Sequence, residues 1–126
     1  MHGRFRLVAG VLIQKGNILM KEQEKIILED IRRTLFDHFG KMIDRILLYG
    51  SRARDDATEG SDWDILVVMH GPVDWKLGNR ILDACYEVDL KHDILIHIKV
   101  LSKDELNTVR GRQPYILNAF EQGIYA

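Results

Sequence analysis

The chain has 126 residues, enough for one domain with one real core, and its 46% hydrophobic and 29% charged residues are those of an ordinary globular protein. A formal net charge of -1 argues against a general nucleic-acid-binding surface, and the single Cys85 excludes an internal disulfide and gives no sign of an oxidising compartment. No apolar run approaches the roughly 18 residues that a membrane span needs.

Residues 4–20 read as a hairpin: an apolar run to Ile13, a Lys15-Gly16-Asn17 turn, then Ile18-Leu19-Met20. Arg4 and Arg6 ahead of Leu7 to Ile13 have the outline of a signal peptide, but Gln14-Lys15 ends the run early and no small-residue cleavage site follows. Cytoplasmic is the expected compartment. The piece is either an extra edge strand or a stretch upstream of a start at Met20.

Lys21 to Phe39 has the helical period, with Ile26, Ile27, Ile31, Leu35, Phe36 and Phe39 as its apolar stripe. Glu29 and Arg33 stand four apart in the favourable order for a surface pair, and Gly40 ends the helix. His38 in the last turn suits a capping or solvent-facing role better than a ligand's.

Ile43 to Tyr49 is a strand, and its run Ile46-Leu47-Leu48 is typical of burial on both faces. It ends at Gly50-Ser51, where glycine lets the backbone approach a phosphate and the Ser51 hydroxyl and following amides can donate to it. Arg52 and Arg54 either assist a triphosphate or pair with the loop acids Asp55, Asp56 and Glu59; both readings stay open.

Asp62 to Met69 is the second strand, closed by His70-Gly71-Pro72. Residues two apart in a strand share a face, so Asp62 and Asp64 present their carboxylates together while Trp63 and Ile65 face the other way. Two carboxylates without clustered Cys or His suit Mg²⁺, which keeps waters and takes further ligands from substrate phosphates. The competing reading is a plain hairpin with a charged loop.

Trp75 to about Leu90 is a second helix, capped by Asp74, with Trp75, Leu77, Ile81, Leu82, Cys85 and Val88 on its inner side and Cys85 as a small core residue. Asp93 to Leu101 alternates as a third strand, with Ile94, Ile96, Ile98 and Val100 on one face and Asp93, Leu95, His97, Lys99 and Leu101 on the other. Joined through a helix, it runs parallel to the Asp62 strand and level with it. Ser102 and Glu105 form a capping-box pattern. A last helix follows Pro114 and ends at Gly123, with Tyr115, Ile116, Ala119, Phe120 and Ile124 apolar; it either covers its own sheet or meets a partner.

Gly50-Ser51-Arg52-Ala53-Arg54, with ten residues between Ser51 and the Asp62-x-Asp64 pair, resembles the signature of the minimal nucleotidyltransferases in the DNA polymerase beta superfamily. The resemblance implies an α/β (α+β) palm-like fold, a small mixed sheet with helices packed on it, as one domain over 1–126. Residues 1–20 are then an N-terminal addition and 113–126 a C-terminal helix. It implies an Mg²⁺-dependent transfer of a nucleoside monophosphate, AMP from ATP or a corresponding group from another NTP. Gly50, Ser51 and Arg52 would bind the nucleotide, and Asp62 and Asp64 the metal.

The family commonly has Gly where Asp55 stands, and it uses a third acidic residue from a later strand as the base that activates the attacking hydroxyl. Aligned on the turn that closes Ile96 to Leu101, His97 occupies that third position. Asp93 shares its face but lies about 13 Å earlier along a strand. A histidine can accept a proton near neutral pH but is a poor ligand for Mg²⁺. His97 is therefore either catalytic or an exposed strand residue.

By the same resemblance the acceptor is a hydroxyl on a HEPN-type toxin and the protein its antitoxin. A catalytically inactive subunit that binds such a partner is the alternative. Antibiotic nucleotidyltransferases share the motif but use a helical domain after the catalytic one, whereas only about 25 residues follow the third strand here. A homodimer would have to supply the missing wall.

Overall fold

The computed structural model describes residues 5–8, 11–14, 21–53, 62–108 and 110–126. Near the N-terminus β1 (Phe5–Val8) and β2 (Val11–Gln14) pair antiparallel, with Val8 opposite Val11. The hairpin thus falls inside the apolar run, not between that run and Ile18 to Met20. Residues 15–20, where the turn and second strand were expected, lie outside the described ones.

Two apolar strands decide the middle of the molecule. β3 (Ile43–Tyr49) and β4 (Trp63–Met69) pair antiparallel, and Leu47, Leu48 and the whole run Ile65 to Val68 have no solvent exposure. Such runs must be covered on both faces, and here they are. Ile46, Leu48, Trp63, Ile65 and Val67 meet α1 (Glu22–Phe39) and α2 (Trp75–His92). Leu47, Tyr49, Leu66 and Val68 meet Ile116 and Ala119 of α3 (Pro114–Gln122). β5 (Ile96–Ser102) lies parallel to β4, as its helical crossover requires, and β6 (Ile124–Tyr125) adds to the far edge. The order is β5-β4-β3-β6, the small mixed sheet expected. The tail therefore covers its own sheet.

The helices depart from their sequence patterns where charge or exposure intervenes. On α1, Leu28 is buried and Ile26 exposed, and Asp30 is buried among the apolar residues. His92 Nε2 and Lys91 Nζ at the end of α2 stand 2.7 and 3.0 Å from Asp30 Oδ2, and Arg33 holds the other oxygen. Burial raises the Asp30 pKa, but these hydrogen bonds and the charges of Lys91 and Arg33 outweigh it and hold the carboxyl below its ordinary value. Arg33 thus serves Asp30, and Glu29 pairs instead with Arg32 at 3.3 Å. His38 has its Nδ1 2.8 Å from the Thr34 carbonyl oxygen and its Nε2 3.3 Å from Glu87, a capping role at the helix end.

α2 begins at an Asp74 cap whose Oδ1 accepts from the Leu77 N–H at 2.8 Å. Trp75 and Leu82, expected inside, are exposed, and Ala84 is buried in their place. Cys85 is buried, and burial first, then the nearby Asp89, pushes its thiol up to about 12, so it packs and does not react. The helix runs on to His92 and is closed by Asp93 in the left-handed region, φ 53°. β5 accordingly starts at Ile96 and not at Asp93. The Ser102–Glu105 capping box forms as expected.

Candidate active site

Backbone register places one residue from each of three strands in a row: Tyr49 of β3 is paired with Asp64 of β4, and Asp64 with His97 of β5. Neighbours across strands share a face, and Tyr49 packs with Leu47 and Leu66 on the α3 side. Trp63, next to Asp64, is buried against the α1 and α2 core on the opposite side. Asp64 therefore lies on the face opposite Trp63, and Asp62 is exposed just ahead of β4.

The Gly-Ser turn is shaped around one carboxylate. Gly50 has φ +74°, and a Cβ built on it would lie 2.2 Å from Asp64 Oδ2. Only glycine meets both conditions, the left-handed backbone and the close approach. The other oxygen, Oδ1, is 3.4 Å from His97 Nδ1, with the two side chains 25% and 57% exposed. Asp64 is thus fixed between a turn and an imidazole while both remain open to a ligand. His97, which the family resemblance aligns with the third acidic position, is the β5 residue paired with Asp64.

Arg52 completes a short helical turn, Gly50–Arg52, and its side chain points to the other face. Its Nη1 is 3.0 Å from Glu24 of α1, and its guanidinium carbon lies 4.6 Å from the Trp63 ring centroid. Stacking and ion pairing together tie the turn to α1 and to the strand that carries the carboxylates. One acid that Arg52 meets is Glu24 on α1; the loop acids Asp55, Asp56 and Glu59, with Arg54 and Ser61, lie outside the described residues. Ser51, beside Arg52 in the turn, is half-buried.

The sequence reading missed Tyr49, Tyr115 and Lys99. Burial first, then the charge of Asp64 and the nearby Tyr115, pushes the Tyr49 phenol up to about 12, so it stays neutral beside the carboxylate. The Tyr49 and Tyr115 rings are 6.3 Å apart, and Lys99 Nζ is 5.8 Å from the Tyr115 ring. Lys99 follows His97 by two residues and so shares its face. Tyr49 had one available signal, its place as the last strand residue before Gly50. Asp93, the alternative third carboxylate, caps α2 outside β5 and does not join the row.

Among the described residues no group of three or more His, Cys, Asp or Glu side chains is gathered to hold a metal. Were Asp62 and Asp64 to hold a cation, their carboxylates would supply oxygen donors alone, with water and phosphate oxygens completing the shell. That is the donor set Mg²⁺ accepts.

A family model described as a nucleotidyltransferase domain matches residues 26–121, from α1 through the row to α3. The chain is 34% identical over 101 residues to a protein of Methanocaldococcus jannaschii named "Putative protein adenylyltransferase MJ0604", covering 80% of this chain and 94% of that protein. It is 31% identical over 70 residues to "Putative protein adenylyltransferase MJ0141" of the same organism, covering 56% of this chain and 71% of that protein.

Proposed function

Because the chain belongs to the nucleotidyltransferase domain family, and is a nucleotidyltransferase as its resemblance to the minimal members implied, we propose that it transfers AMP from ATP to a hydroxyl on a partner protein. The observation that carries this reading is Asp64 seated on Gly50 with His97 beside it. The acceptor class follows the names of the two relatives. The proposed partner is a HEPN-type toxin, with this protein as its antitoxin.

In the reaction the acceptor oxygen attacks the α-phosphorus, the bond from that phosphorus to the bridging oxygen breaks, and pyrophosphate leaves. Gly50 and Ser51 hold the phosphates through backbone amides and the Ser51 hydroxyl. His97 takes the acceptor proton. Asp62 and Asp64 would hold Mg²⁺, and the ion would supply charge neutralisation at the α-phosphate and the leaving group. The contact of Asp64 with His97 helps to fix where the carboxylate points.

The histidine at the third position favours a second reading, a subunit that binds the partner without modifying it. Incubation with α-labelled ATP, Mg²⁺ and the HEPN-type partner separates the two. We expect label on the partner, and none with Asp62→Asn or Asp64→Asn. A partner that binds tightly and stays unlabelled supports the second reading.

A further inference from the structure

α2 carries a second apolar stripe, on the face turned away from the sheet. Leu77, Ile81, Ala84, Cys85 and Val88 are its buried positions. Trp75, Leu82, Tyr86 and Leu90 are 73%, 50%, 60% and 67% exposed. Spaced by seven, four and four residues, these four follow one line along the helix, about 22 Å long at 1.5 Å per residue. Gly78 borders that line, and a Cβ there would meet nothing within 4 Å. Neither a positive φ nor a close approach within the protomer calls for glycine at this position, although glycine is among the poorest helix formers.

We propose that this stripe is the interface of a homodimer in which two α2 helices cross antiparallel about a two-fold axis at Leu82. The order of the side chains points to a second copy. Reversing the helix about Leu82 puts Leu82 opposite itself, Tyr86 opposite Gly78, and Trp75 opposite Asp89 and Leu90. The tyrosine ring then fills the notch that the glycine leaves, which gives Gly78 a reason that the single protomer lacks. Close packing of this kind is how antiparallel helices meet.

Charge agrees with the same crossing. One flank of the stripe is basic in its first half, Lys76 and Arg80, and acidic in its second, Asp83 and Glu87, and all four are exposed. A two-fold axis perpendicular to both helices brings like flanks together. Arg80 then faces Asp83 of the second copy, and Lys76 faces Glu87. A parallel crossing would turn these flanks to opposite sides of the seam and form neither pair. Within the protomer Arg80 lies over the Phe39 ring and Glu87 reaches His38, contacts that leave both side chains at the surface.

Sedimentation equilibrium of the full chain tests this independently of transfer activity. The unmodified protein should sediment at twice the 14.6 kDa of one chain. Lys76→Glu with Arg80→Glu should give monomers, and so should Asp83→Lys with Glu87→Lys, each with unchanged helical circular dichroism. Mixing the two variants restores every pair, so a heterodimer should form. Gly78→Gln, whose Cβ would meet nothing within 4 Å among the described residues, should weaken dimerisation at least tenfold. An unmodified chain that is monomeric at about 100 μM, or a variant mixture that stays monomeric, overturns the proposal and leaves the stripe to a different protein.

Discussion

Replacing Gly50 with Ala should lower nucleotidyl transfer at least about a hundredfold while the protein stays folded. The added methyl would stand 2.2 Å from Asp64 Oδ2, on a backbone at φ +74°. Left-handed backbone costs a non-glycine residue roughly 1–2 kcal/mol, which lowers the melting midpoint by several degrees without unfolding a domain of this size. The overlap is relieved by the free end of the Asp64 side chain, because that end moves more easily than two paired strands. A catalytic carboxylate displaced by about an ångström is enough for the stated loss. Gly71→Ala is the control, since its methyl would meet nothing within 4 Å. Steady-state rates of both variants, with midpoints alongside, check the point. A Gly50→Ala enzyme as fast as the unmodified one would mean that Asp64 is not held for catalysis.

Replacing His97 with Ala should lower kcat by about 10² to 10⁴, the range contributed by a positioned general base. His97 stands level with Asp64 and within 3.4 Å of it, where an acceptor hydroxyl bound beside the α-phosphate would arrive. His97→Asp puts an oxygen donor in the same row, which Mg²⁺ accepts and imidazole does not replace. We therefore expect the Asp variant to retain most of the activity that the Ala variant loses. An Ala variant with unchanged kcat would make His97 the exposed strand residue that the sequence also allowed. Binding of Mg-ATP should survive in both variants, which separates lost chemistry from lost substrate.

The residues that could be read from sequence are those whose neighbours are close in the chain or fixed by strand register. Ile46 to Leu48 and Ile65 to Val68 announce strands buried on both faces, and the Gly50 to Asp64 spacing brings turn and carboxylate together. His97 could be placed through the family resemblance, by alignment on the turn that closes β5, and the parallel pairing sets it beside Asp64. Asp30 could not: its partner His92 lies 62 residues away, and a lone acid inside an apolar stripe looks like a surface position. Arg52 met the same limit, because Glu24 is on another element. On α2 the apolar residues occupy two faces, so periodicity alone could not say that Trp75 and Leu82 belong to the outer one. β6 is two residues long, too short for any alternation to register.

Thermal unfolding with Mg-ATP tests the proposal that nucleotide and metal meet at Asp62 and Asp64. A ligand that binds only the folded state adds RT ln(1 + [L]/Kd), about 2.7 kcal/mol at a hundredfold excess over Kd. For a domain of this size that raises the midpoint by several degrees. Two carboxylates repel the negative charge of a triphosphate unless a cation stands between them, so ATP without Mg²⁺ should give a much smaller rise. Asp64→Asn should abolish the Mg-ATP-dependent rise with little change in the unliganded midpoint, because Asp64 begins a strand at the sheet's end and stays partly exposed. A several-degree rise in the unmodified protein, lost in Asp64→Asn, is the result predicted; no rise in the unmodified protein at millimolar Mg-ATP would contradict it.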